Sequence, residues 1–101
     1  MLLYKVIKTF SREFKGMTQQ SFEDRVGTIW MDGKFIEWKQ CKIHMLTHAL
    51  HYGSSVFEGV RVYNYKPFKL KEHIERLHKS AQILHFEIPY SIDELINFTN
   101  E

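Results

Sequence analysis

A single cysteine, Cys41, is all the thiol this 101-residue chain carries. It excludes an internal disulfide and fits a reducing compartment. Missing too is any apolar run near the roughly 20 residues that a membrane helix needs, so no membrane partner is expected and a cytoplasmic protein is. Neither sign of charge prevails: fourteen basic and twelve acidic residues leave a net charge of +2 and are interspersed. The extended electropositive footprint that a nucleic-acid partner would want is therefore lacking. No internal repeat, low-complexity tract or linker divides the chain. The apolar centre of a secretory signal is absent from its start, and Glu13 counts against a transit peptide.

What is present is the material for a core. Apolar residues make up 44%, aromatics 15% and charged residues 26%, which argues against disorder throughout. At this length one domain with a single modest core is expected. Residues 1–27 read as an N-terminal extension and 28–101 as the domain. In the extension, Leu2, Leu3, Val6, Ile7 and Phe10 stand among basic residues. That pattern allows a short amphipathic helix or a frayed, disordered terminus, and Met17 marks a second candidate start of translation.

Thr28 to Trp38 reads as a hairpin turning at Met31-Asp32-Gly33-Lys34, because Asp-Gly accepts the positive φ of a tight turn. Cys41 to His51 does not separate strand from loop. Val56 to Tyr63 alternates as a strand, with Val56, Glu58, Val60 and Val62 on one side and Phe57, Gly59, Arg61 and Tyr63 on the other. That second face, an aromatic, a glycine, a cation and a phenol, has the character of a ligand wall. Asn64-Tyr65-Lys66-Pro67 then turns into a short Phe68-Lys69-Leu70 strand. Leu70, Ile74, Leu77, Ala81 and Leu84 recur at helical spacing, predicting an amphipathic helix over 71–84 with Glu72, Glu75, Lys79 and Gln82 outward. Ser91 with Glu94 three residues on is a capping-box pattern that starts a second helix at Ile92, with Leu95, Ile96 and Phe98 to pack. The predicted fold is α+β, a small antiparallel sheet with two helices.

The run His48-Ala49-Leu50-His51-Tyr52-Gly53-Ser54-Ser55-Val56-Phe57-Glu58-Gly59-Val60-Arg61, followed by His73-Ile74-Glu75-Arg76-Leu77, closely resembles the start of class IV (fold type IV) pyridoxal-phosphate aminotransferases. The branched-chain amino-acid aminotransferases resemble it most; D-amino-acid transaminases and aminodeoxychorismate lyases share the fold. The resemblance covers residues 28–98 continuously. It implies that 28–101 is the small domain of such an enzyme, incomplete at its C-terminus, and that the cofactor of the parent family is pyridoxal phosphate.

By the same resemblance Arg76 binds the cofactor phosphate, a role its planar guanidinium suits. On helical spacing alone Arg76 reads instead as a surface cation paired with Glu72 or Glu75. The resemblance places Tyr52, Phe57, Gly59 and Arg61 on the substrate side, with Phe57 and Gly59 shaping a pocket for an aliphatic side chain. Tyr52 matches a tyrosine that reaches a neighbouring subunit's site, which implies a homodimer. Read bare, Tyr52 and Phe57 are core aromatics. His44, His48 and His51 invite a metal reading, but no acidic residue completes a site and none is expected; His48 and His51 read as hydrogen-bonding loop residues.

None of the ten lysines lies in a setting like the family's Schiff-base lysine. The resemblance therefore implies that this chain supplies no catalytic lysine and does not hold the cofactor stably alone. Three readings follow: an N-terminal fragment of a branched-chain aminotransferase, which passes an amino group between Leu, Ile or Val and 2-oxoglutarate; one half of a split transaminase completed by a separate large-domain chain; or a non-enzymatic dimerisation or binding module.

Overall fold

The computed structural model describes residues 6–7 and 21–101. The chain forms two compact units, one running to Thr47 and the other from His48 to Glu101, where its length led us to expect one.

In the first unit, β1 (Val6–Ile7), β2 (Thr28–Met31) and β3 (Lys34–Glu37) make an antiparallel sheet in that order. Met31 pairs with Lys34 across a two-residue turn in which Asp32 has φ 49° and Gly33 φ 85°. This is the primed geometry that Asp-Gly predicts, since both central residues must accept positive φ. Trp38 N–H donates to Gly27 carbonyl at 2.9 Å, carrying the pairing one step past the strands. Ile29 and Trp30 point to opposite faces of β2, and both are buried. A 3₁₀ turn at Phe22–Asp24 precedes the hairpin and another at Trp38–Gln40 follows it. Val6–Ile7, within the segment read as an extension, pairs with Trp30 and Ile29 as a short edge strand; the helix-or-frayed reading for the rest of residues 1–16, and Met17, lie outside the described residues.

The second unit opens with α1 (His48–Tyr52), a five-residue helix with no buried side chain. Here the chain settles the ambiguity of 41–51 as irregular backbone followed by a helical turn. The strand expected over Val56–Tyr63 shortens to β4 (Val62–Tyr63), paired with β5 (Lys66–Pro67). Residues 56–61 keep the two-residue alternation of exposure, with Val56, Glu58 and Val60 half-buried and Phe57, Gly59 and Arg61 exposed. Extended backbone without a ladder partner is not a strand, and that is the physical reason for the shortening. The Phe68-Lys69-Leu70 strand does not form either. Phe68 N–H reaches back to Arg61 carbonyl at 2.7 Å, Lys69 turns into the left-handed region at φ 50°, and Leu70 already begins a helix.

That helix, α2 (Leu70–Ile83), buries Leu70, Ile74, Leu77 and Ala81 as the spacing predicts. Leu84 lies past the last helical residue and is exposed. α2 ends with His85 at φ 58°, its N–H on Gln82 carbonyl at 3.0 Å and Phe86 N–H on Ala81 carbonyl at 3.1 Å. This is a Schellman closure with histidine where glycine is usual. α3 (Ile92–Asn100) packs on α2, burying Leu95 and Thr99. Its capping box is complete: Ser91 Oγ accepts from Glu94 N–H at 3.2 Å, and Glu94 Oε2 accepts from Ser91 N–H at 2.8 Å. The fold is α+β with two small antiparallel sheets and three helices, one helix more than expected. Among the described residues no helix is long and apolar enough to cross a membrane.

Candidate functional site

The chemistry of the second unit converges on one carboxylate. Alternation along 56–60 turns Glu58 to the same side as Val56 and Val60, so its side chain is only 9% exposed. A charge so little exposed must be paired, and α2 supplies the pair. His73 and Arg76, three residues apart, share a helix face. Arg76 Nε donates to Glu58 Oε1 at 2.5 Å and Nη2 donates to Oε2 at 2.6 Å. His73 Nδ1 lies 2.7 Å from the same Oε2.

These contacts fix the protonation states. The Arg76 hydrogen bond, reinforced by that of His73 and opposed by burial, holds the Glu58 carboxyl at about 2, well below its ordinary 4.5. Glu58 is therefore an ionised acceptor, and His73 Nδ1 must carry the hydrogen that bonds it. Arg76 Nη2 also stands 3.3 Å from His73 Nδ1, but two donors face one another there and no bond forms. Glu58 in turn raises the Arg76 pKa above its usual value. Among the described residues, Arg76 Nη1 has no hydrogen-bond partner, and the side chain is 65% exposed. Neither Glu72 nor Glu75 pairs with it, correcting that reading; Glu75 lies 3.9 Å from Lys71 instead.

The other expected site residues are exposed and not core aromatics. Tyr52 and Phe57 are 76% and 86% exposed. Phe57 lies beside Gly59: a Cβ on Gly59 would meet only the Phe57 ring, at 3.6 and 3.7 Å. Those are ordinary contacts, so nothing in this chain's own packing demands glycine there. Gly53 is different, since its φ of 64° lies in the left-handed region that favours glycine. Arg61 has an exposed side chain, and its carbonyl accepts the Phe68 amide. His48 and His51 are not loop residues as expected but sit on α1, their rings 5.5 and 6.4 Å from that of Tyr52. Among the described residues no group of three or more His, Cys, Asp or Glu side chains is placed to hold a metal ion.

Glu58 and His73 escaped the sequence reading as functional residues. The signal was there for Glu58: a lone carboxylate in register with three valines requires a cation from elsewhere in the fold.

Comparison with known proteins matches residues 55–101 to the family amino-transferase class IV. A probable branched-chain-amino-acid aminotransferase of Rickettsia felis is 51% identical over 80 residues, covering 79% of this chain and 28% of the relative. The branched-chain-amino-acid aminotransferase of Pseudomonas aeruginosa is 48% identical over 79 residues, covering 74% and 26%. The crystal structure of the Escherichia coli branched-chain amino acid aminotransferase superposes with a TM-score of 0.68 at 45% identity, covering 73% of this chain and 26% of that one. The chain thus spans about a quarter of the length of these relatives. Its residues 55–101 are of the class IV aminotransferase family.

Proposed function

We propose that this chain serves branched-chain amino-acid transamination, contributing the phosphate-binding arginine and the wall against the substrate's aliphatic side chain. The observation that carries the reading is the state of Arg76, whose Nε and Nη2 are held by Glu58 while its side chain remains 65% exposed. A guanidinium held on one edge and open on the other suits a phosphate, which accepts hydrogen bonds from a planar fork. Pyridoxal phosphate, when bound, supplies the electron sink that transamination needs.

Everything else in the reading concerns this chain's own side chains. Arg76 anchors the phosphate. Phe57 offers an apolar surface, and Gly59 keeps clear the space that a side chain would fill. Tyr52 and Arg61 carry the polar groups on the substrate side, Tyr52 toward a second subunit in a homodimer. The reading includes a larger enzyme, or a separately made large-domain chain, that brings the lysine. It also includes a cytoplasmic setting, which the free thiol of Cys41 suits.

The test is a chimera in which residues 28–98 replace the matching segment of the E. coli relative. It should transfer amino groups from leucine to 2-oxoglutarate. Arg76→Lys in that chimera should weaken retention of pyridoxal phosphate by about tenfold or more, because an ammonium cannot reproduce the fork. A chimera that folds and holds the cofactor equally well with lysine would overturn the role given to Arg76.

A further inference from the structure

We infer that Glu58, with His73 behind it, is a positioning residue: it orients the Arg76 guanidinium so that its outer edge faces a phosphate. The inference rests on the phosphate role proposed for Arg76 and assigns a function to two residues outside the expected site.

The argument begins with a cost. A carboxylate only 9% exposed and placed beside the one arginine meant for an anion lowers the net charge there. By charge alone it should weaken phosphate binding. Its geometry does the reverse. Both oxygens are used: Oε1 takes Arg76 Nε at 2.5 Å, and Oε2 takes both Nη2 at 2.6 Å and His73 Nδ1 at 2.7 Å. Two parallel bonds fix the plane of the guanidinium, and the third bond fixes the carboxylate that fixes it. An exposed arginine otherwise samples many rotamers, and an anion must pay to select one. Here that choice is made before the anion arrives. The side-on edge, Nε with Nη2, is taken by Glu58, which leaves the donors of the end-on edge, Nη1 with the second N–H of Nη2, to an anion on a side chain that is 65% exposed.

Charge and orientation predict opposite signs for one substitution, which makes the inference testable. In the full 101-residue chain, inorganic phosphate would be titrated at neutral pH and constant ionic strength, with the Arg76 Nε–H resonance as the readout. In the wild type that resonance should be shifted by its bond to Glu58 before phosphate is added. Glu58→Gln should release it to the position of a free arginine and weaken phosphate binding by about threefold or more, despite the gain of one positive charge. Equal or tighter binding in Glu58→Gln overturns the inference.

His73→Gln, which leaves the Glu58–Arg76 charges intact, should weaken binding in the same direction and by less. It decides the matter if Glu58→Gln does not fold, and unchanged binding there also overturns the inference. If Arg76→Gln leaves phosphate binding by the wild-type background unaltered, the phosphate role of Arg76 fails instead. That outcome is separate from any result at Glu58.

Discussion

Arg76 and Glu58, 18 residues apart in sequence, meet through two hydrogen bonds of 2.5 and 2.6 Å, tying the extended segment before β4 to the middle of α2. The pair also sets a pH dependence. Glu58 titrates at about 2 in the folded chain against 4.5 as the ordinary value. A depressed folded pKa means that the unfolded chain binds the proton first as pH falls. The contribution of Glu58 is thus complete above about pH 4.5 and is lost progressively toward about pH 2. Urea unfolding at several pH values should show stability falling across that window, and Glu58→Gln should flatten the fall. An equally steep fall in the variant would remove Glu58 as its source.

Tyr65 and His85 are among the residues that carry side chains where the backbone favours glycine. Tyr65 has φ 63° at the second position of the β4–β5 turn, and His85 has φ 58° in the closure of α2. Tyr65 is 77% exposed, so little packing is lost by removing its ring. The left-handed conformation costs a non-glycine residue about 1–2 kcal/mol, and the greater unfolded entropy of glycine returns part of that. Tyr65→Gly and His85→Gly should each raise unfolding free energy by about 0.5–1 kcal/mol. Tyr65→Val should lower it, because a β-branched residue tolerates positive φ least. Chemical denaturation of the three variants checks the order.

Ser91 caps α3 with its Oγ on the Glu94 amide at 3.2 Å. Ser91→Ala should cost about 1 kcal/mol. The Glu94 carboxyl, lowered first by the Ser91 backbone amide and then by its hydroxyl, should titrate closer to its ordinary value in the variant. A carbon-detected NMR titration of Glu94 reads that shift directly, and no movement would place the hydroxyl outside the cap.

Core and site should separate cleanly under alanine. Leu77 and Leu95 are 1% and 0% exposed, and Leu77→Ala or Leu95→Ala should cost about 2–5 kcal/mol by leaving a cavity between α2 and α3. Phe57→Ala, at a side chain 86% exposed, should change stability by less than about 0.5 kcal/mol. A loss at Phe57 comparable to that at Leu77 would return it to the class of packing aromatics.

What was legible in the residues was whatever local chemistry specifies. Asp32-Gly33 named its turn, the Leu70–Ile74–Leu77–Ala81 spacing named the buried face of α2, and Ser91 with Glu94 named the start of α3. The α+β class followed from their order. Two things were hidden because they depend on partners far along the chain. The Val56–Tyr63 alternation showed an extended backbone but could not show that only Val62–Tyr63 finds a ladder. Glu58 could be seen to face inward, yet its choice of Arg76 and His73 over solvent is decided by where α2 is laid. Left-handed Lys69 and His85 were hidden for another reason: a side chain that tolerates strain leaves no mark of it in sequence. Resemblance supplied Arg76, Tyr52, Phe57, Gly59 and Arg61, and physics supplied the two residues behind Arg76.

The short helix α1 follows a different energetic logic from α2. Fixing the backbone of each residue costs about 1–2 kcal/mol, and a helix of five residues without a single buried side chain recovers little of it through packing. The amides of His48 through Tyr52 should accordingly trade their protons with heavy water at rates near those of a free peptide, long before the α2 amides around Ile74 and Leu77 do. Melting of the second unit should then proceed in two stages, with Tyr52 released in the first.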